Sequence, residues 1–240
     1  MIAVRSVIFI AAFYVWTAIM LIVCTPLLAL DWHWIVRCQT FWVNGVLCLM
    51  RALVGIALEV RGRENIGQVP IIIASKHQSA WDTFIWHVIV GTPAVVMKSE
   101  LLWIPLYGWC CLKAGMIPID RRGGAASLKA MVQSARRAVE RQQPIIIFPQ
   151  GTRTAPGTQA SYQPGVAAIY RGLGIPVVPV ALNSGLFWPR RSLRRIPGTI
   201  VVEFLPRIEP GLDRGLFLAE LEDRIESATT KLENEGQQWR

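Results

Sequence analysis

Residues 70–90 read Pro70-Ile71-Ile72-Ile73-Ala74-Ser75-Lys76-His77-Gln78-Ser79-Ala80-Trp81-Asp82-Thr83-Phe84-Ile85-Trp86-His87-Val88-Ile89-Val90. The apolar run Ile71 to Ala74, with no polar residue alternating through it, describes a short strand covered on both faces. A polar turn, Ser75 to Asp82, separates it from a second apolar run, Thr83 to Val90. A strand end that leads into a helix start is where α/β folds often present functional groups. This one presents a histidine and an aspartate.

Outward from that segment the same rhythm repeats. Short β-branched runs at Pro93 to Met97, Ile117 to Ile119, Pro144 to Phe148, Pro176 to Leu182 and Thr199 to Leu205 are set apart by Gly, Pro and longer helical stretches. The clearest helix is Ala126 to Gln142, with Leu128, Met131, Val132, Ala135, Ala138 and Val139 recurring at three- and four-residue steps, Ser127 as a candidate cap and Pro144 as the stop. Further helices are expected from Gly165 to Arg171, ending at Gly172 or Gly174, and from about Leu216 to Glu235. The expected architecture is an α/β domain over residues 59–240, a mixed central sheet flanked by helices.

Residues 1–58 have a different character. No charged side chain occurs from Ser6 to Leu30, and Cys38 to Leu58 is interrupted only by Arg51. Two such stretches joined by Asp31 to Arg37 predict a membrane-associated two-helix anchor, either spanning the bilayer or inserted as a hairpin in one leaflet. Trp16, Trp32, Trp34 and Trp42 are candidate interfacial anchors. An even number of crossings leaves both ends on one side, and the Arg-rich remainder favours the cytoplasmic face of the cell membrane.

The composition, 52% hydrophobic and 17% charged, excludes a disordered tail protein, and the formal charge of +9 calls for an anionic partner. The apolar N-terminus and the lack of a nucleic-acid motif make membrane phosphate, rather than nucleic acid, the expected source of that anion. The five cysteines show no zinc or disulfide spacing and read as buried, reduced thiols, and no metal site is expected from these residues together with the three histidines.

Three segments can carry chemistry. On a regular helix His77 and Asp82 would lie about 140° apart, so His77 is expected in the turn and Asp82 in the first helical turn. There the carboxylate can take the proton of one imidazole nitrogen and leave the other as a general base. Ser79-x-x-Asp82 also fits a capping box, in which the aspartate serves only its own helix. The second segment, Phe148-Pro149-Gln150-Gly151-Thr152-Arg153-Thr154, can offer backbone N–H groups, a hydroxyl and a bidentate guanidinium to one anion, which suits phosphate. The third is Gly115 to Gly124, a Gly-rich turn with Arg121 and Arg122, which as a bare turn is equally well a solvated loop. A basic stretch, Trp188-Pro189-Arg190-Arg191-Ser192-Leu193-Arg194-Arg195, suits anionic headgroups or the phosphates of an acyl carrier.

In order and content these blocks resemble the 1-acylglycerol-3-phosphate acyltransferases, the H-x4-D phospholipid acyltransferase family, over most of residues 60 to 185. His77 and Asp82 match the first family motif, Lys98 to Gly108 the segment that follows, Gly115 to Arg121 the second motif, Phe148 to Thr154 the third, and Val178-Pro179-Val180-Ala181 to Gly185 the fourth. Two positions depart from the pattern. Gln150 stands where the family usually has Glu, and Lys76 where it commonly has Asn. An amide at 150 can still bond a substrate hydroxyl but carries no charge. An ammonium at 76 can act on the neighbouring imidazole or meet a phosphate.

The resemblance implies direct acyl transfer from acyl-CoA or acyl carrier protein to lysophosphatidic acid, giving phosphatidic acid, with no cofactor and no metal. His77, oriented by Asp82, would deprotonate the acceptor hydroxyl. Arg153 with Gly151 and Thr152 would hold the acceptor phosphate, with Arg121 and Lys98 as further cations for the same anion and Gln150 as a substrate contact. The competing readings are a same-fold enzyme with another acceptor, such as lyso-ornithine lipid or a different lysophospholipid, and an anion-binding module without turnover. A serine hydrolase is disfavoured because no Gly-x-Ser-x-Gly elbow occurs.

Overall fold

The computed structural model describes residues 1–238. Two long helices come first, α1 (Ile2–Cys24) and α2 (Trp32–Leu49). Strand β1 (Ile56–Arg61) follows, then β2 (Ile72–Ser75), α3 (Trp86–Ile89), β3 (Ala94–Lys98), α4 (Tyr107–Ala114), β4 (Ile117–Ile119) and α5 (Gly124–Glu140). The remainder is β5 (Ile145–Ile147), α6 (Pro164–Leu173), β6 (Val177–Leu182), α7 (Ser184–Phe187), β7 (Gly198–Phe204) and α8 (Arg214–Gln238).

Among the described residues seven strands form one sheet in the order β1-β7-β6-β2-β5-β3-β4. All neighbours are parallel except β6 and β7, so the sheet is mixed, as expected. The central strands are apolar throughout because both faces are covered. Ile71, Ile73, Val178 and Val180 pack into a core shared with α1 and α2, while Ile72, Ala74, Ile145 and Val177 face α5, α6 and α8. With β2 between β5 and β6, the turn after β2 opens beside the turn after β5. That adjacency is what brings the first and second sequence segments together.

The expected strands fall within one or two residues of the observed ones, and α6 ends at Gly174 in the left-handed conformation that glycine tolerates best. The expected cap Ser127 lies inside the first turn of α5, whose N-cap is Gly123. β1 has no counterpart in the sequence reading. The second apolar stretch turns at Gly55 (φ 68°) and continues as strand from Ile56, so the boundary expected after residue 58 falls inside β1.

The reading of all five cysteines as free thiols is corrected. Cys24, at the end of α1, and Cys38, in α2, form a disulfide across the turn between the helices, their Cα atoms 6.2 Å apart. No spacing rule identifies such a pair, because two helices folding back on each other set the distance. Cys48, Cys110 and Cys111 are free.

One helical stretch among the described residues, Ile2–Ala29, is long and apolar enough to cross a membrane, with mean hydropathy 2.6. One side of it is packed: Phe9 is buried, Trp16 Nε1 donates to Trp42 O at 2.9 Å, and Arg5 Nε donates to Leu53 O at 2.6 Å. Its other side exposes Val7, Tyr14, Val15, Ile19 and Ile22. α2 carries Arg37, Gln39 and Asn44 between its apolar residues and buries Ile35, Val36, Val43 and Val46 against the protein.

Candidate active site

β2 continues its ladder one residue beyond the strand, Lys76 N donating to Val180 O at 2.9 Å, and then breaks into the turn that carries His77. Asp82 sits in a short 3-10 turn, Trp81–Thr83, and is fully buried. Its Oδ2 accepts from Gln78 N and Ser79 N, each at 2.7 Å, and lies 3.0 Å from His77 Nδ1. Ser79 Oγ in turn accepts from Trp81 N at 3.1 Å. The capping role and the imidazole contact, alternatives in the sequence, are made by the same carboxylate oxygen. Oδ1 is occupied as well, accepting from Ser184 Oγ at 2.5 Å at the start of α7.

Those contacts fix the ring. With Nδ1 on Asp82, Nε2 is the nitrogen left for proton transfer, and the ring is stacked on Phe148, centroids 4.2 Å apart. The second segment is latched to the same turn: Thr154 N donates to His77 O at 2.8 Å, and Thr154 Oγ1 does so at 3.2 Å. Gly151, which ends the tight turn after Phe148, has φ 65°, a conformation that disfavours a side chain there.

A cavity of about 520 Å³ opens at this point. It brings together His77, Lys98, Arg121, Gly151, Thr152 and Arg153, all expected from the sequence. Arg190 joins them, and its Nη1 donates to Arg153 O at 2.7 Å, so the basic stretch after α7 adds one cation to the mouth. The rest of that stretch is used differently. Arg195 is buried against Trp188, 4.3 Å from the ring centroid, and its N–H donates to Ser6 Oγ at 2.8 Å, docking the loop on α1. Burial pulls its guanidinium down to about 10.

Away from the cations the wall is largely apolar, built from Met20, Trp42, Phe84, Val95, Cys110 and Met116. Burial raises the thiols of Cys110 and Cys111, the latter to about 12, so neither is a thiolate nucleophile. His87 is a polar exception in this wall. Burial pushes its pKa down to about 4, its Nδ1 donates to Phe84 O at 3.1 Å, and the side-chain amide of Gln39 lies 3.0 Å from Nε2.

Two expected roles are corrected. Gln150 does not line the cavity; its side chain is buried behind the turn and its Nε2 donates to Glu226 at 3.2 Å, so it cannot reach a substrate hydroxyl there. Lys76 is buried too, and its ammonium lies 2.6 Å from Glu226 Oε2 rather than facing a phosphate. The two neighbours face opposite ways: Lys76 reaches Glu226 on α8, while His77 lines the cavity. Sequence reasoning missed Ser184, Glu226 and Glu233. For the two glutamates one signal was available: both interrupt the buried stripe of α8 beside Ile225 and Leu232. Among the described residues no group of His, Cys, Asp or Glu is placed to hold a metal.

The family model described as Acyltransferase matches residues 57–183. A curated relative, the 1-acyl-sn-glycerol-3-phosphate acyltransferase of Pseudomonas aeruginosa, is 35% identical over 186 residues, 78% of this chain and 72% of that protein. The protein of the same name from Limnanthes alba is 34% identical over 159 residues, covering 65% of this chain and 56% of its own length. The crystal structure of the 1-acyl-sn-glycerophosphate acyltransferase of Thermotoga maritima matches with a TM-score of 0.77, covering 97% of this chain and 99% of that one. At 18% identity that last likeness is one of fold.

Proposed function

The chain belongs to the acyltransferase family, and from that premise we propose that it transfers a fatty acyl group from acyl-CoA or acyl carrier protein to the sn-2 hydroxyl of 1-acylglycerol-3-phosphate, giving phosphatidic acid. The observation that carries this reading is one cavity lined by His77, by Arg153, Arg121 and Lys98, and by a long apolar wall. A substrate with a hydroxyl, a phosphate and hydrocarbon chains needs those three surfaces within one molecule's reach.

His77 Nε2 takes the proton of the acceptor hydroxyl as its oxygen attacks the thioester carbonyl. The tetrahedral intermediate collapses by breaking the C–S bond, and the imidazolium returns its proton to the departing thiolate. Asp82 stabilises the transient imidazolium and fixes the ring. Arg153, with the N–H groups of the Gly151–Thr152 turn, holds the phosphate, and Arg121 and Lys98 add positive charge beside it. No redox step occurs, and no cofactor enters this sequence of bond changes.

The exposed apolar side of α1 seats the protein on the membrane that holds acceptor and product, with the α/β body on the cytoplasmic side. The turn of Gln150 away from the cavity removes the argument for an acceptor without phosphate.

The test is transfer from labelled acyl-CoA, and in parallel from acyl carrier protein, to lysophosphatidic acid and to lyso-ornithine lipid, with detergent-solubilised protein and a His77→Ala control. Phosphatidic acid formed by the intact protein, falling about a thousandfold in the control, is the expected result. Product from the lyso-ornithine lipid alone overturns the role of Arg153. No product from any pairing leaves an anion-binding module.

A further inference from the structure

We propose that α8 supplies two positioning residues for the reaction, Glu226 and Glu233, which hold the neighbours of His77 on either side. This rests on the reading of His77 as the base.

The geometry is a two-point clamp. Lys76 Nζ lies 2.6 Å from Glu226 Oε2, and Gln78 Nε2 donates to Glu233 Oε1 at 2.5 Å. Seven residues are almost two full turns of helix, so the two carboxylates project from one face of α8, roughly 10 Å apart. Lys76 and Gln78 both reach α8, whereas His77 between them lines the cavity. Clamping 76 and 78 to α8 therefore aims 77 the opposite way, toward the cavity it lines.

Each carboxylate also grips the chain that follows the anion turn. Glu226 Oε1 accepts from Gln150 Nε2 at 3.2 Å and from Tyr162 Oη at 3.0 Å. Burial, with the charge of Glu226 beside it, raises the Tyr162 phenol and keeps it a donor. Glu233 Oε2 accepts from Gly157 N at 2.8 Å. Gln78 then passes the restraint on, its Oε1 accepting from Gly185 N at 3.0 Å. The turn carrying the base and the turn carrying Arg153 are thus referred to one helix.

The two departures from the family pattern are accounted for by one group. Lys76 matches the charge of Glu226, and Gln150 donates an N–H to it. A carboxylate at 150 has no proton to donate and would place a second negative charge against the first. Lys76, Gln150 and Glu226 form a matched set, and the last member lies outside the matched family segment, residues 57–183.

The experiment uses the full-length protein in mixed micelles, with lysophosphatidic acid and whichever acyl donor the intact enzyme uses. It compares Glu226→Gln, Glu233→Gln, Lys76→Met and the double variant Lys76→Met/Glu226→Gln, reading kcat and KM separately, the pH profile of kcat and the melting temperature. Glu226→Gln is expected to lower kcat by about a hundredfold, the scale of a small displacement of a reacting group, with the acceptor KM changed less than about threefold. The double variant, with no buried charge left alone, should recover at least tenfold over Glu226→Gln.

Wild-type kcat and pH profile in folded Glu226→Gln and Glu233→Gln overturn the proposal. If Glu226→Gln does not fold, the double variant decides: kcat within about tenfold of Lys76→Met supports the matched set, and a folded double variant without turnover overturns it. His77→Ala is run alongside. Full turnover there removes the base assignment itself, whereas a dead His77→Ala beside unaffected glutamate variants removes only the clamp.

Discussion

The turn around His77 and the outer side of α1 stand in opposite relations to water. In the turn, Lys76, Gln78 and Asp82 are polar or charged and buried, and each has partners inside the protein. On α1, Val7, Val15, Ile19 and Ile22 are apolar and exposed. A buried polar group must find its partner within the fold, because an unpaired one costs about 1–3 kcal/mol and a charge more. An exposed apolar face seeks its partner outside the fold. The first arrangement gives the precision of a site and the second gives its address in the cell.

The difference can be broken from the polar side first. Asp82→Asn removes the charge that faces the imidazole while leaving an acceptor for the turn, and kcat should fall on the order of a thousandfold in the transfer assay with the melting temperature shifted far less. Acid is a second lever. His87 titrates at about 4 in the fold against about 6.5 in the unfolded chain, so below pH 6.5 the unfolded state binds the extra proton. Stability from this group is complete above pH 6.5 and is lost as pH falls toward 4, a span worth about 3 kcal/mol. Denaturant midpoints in that window should fall less for His87→Asn, which has no titrating ring. Equal acid sensitivity in the variant would refute that assignment.

Arg153→Ala should leave kcat within a few-fold and raise the acceptor KM about tenfold or more, as the loss of a charge-assisted phosphate contact predicts. The smallest effect is expected from the apolar side. Ile19→Ser with Ile22→Ser removes exposed side chains that have little of the fold to support. Unfolding in detergent should be nearly unchanged, within about 0.5 kcal/mol, while partition onto anionic vesicles drops about tenfold. A melting temperature that collapses in this variant would mean that α1 faces protein on both sides.

What was legible in the sequence follows the same division. Continuous apolar runs such as Val177 to Leu182 announced their strands, and the charge-free start announced α1, because both are properties of consecutive residues. His77 and Asp82 were legible because they stand five residues apart and a turn can close that distance. Ser184, Glu226 and Glu233 meet the same turn from 102, 150 and 155 residues away, and only the order of strands in the sheet decides such meetings. Lys76 and Gln150 looked like separate anomalies for that reason. The disulfide and β1 were missed on similar grounds: one depends on how two helices fold back, the other on a single left-handed glycine inside an apolar stretch.

The attachment of the site to α8 also has a meaning in time. A chain is made from its N-terminus, and 150 residues separate Lys76 from Glu226. At about 5–20 residues per second, roughly 8–30 s pass between the synthesis of the histidine's neighbour and that of its counter-ion. During that interval the sheet's central strands can pair, but the ammonium at position 76 has no carboxylate to enter the core with. The exposed apolar side of α1 is made long before Glu226, so a lipid surface could take it up while the turn around His77 still lacks its counter-ion.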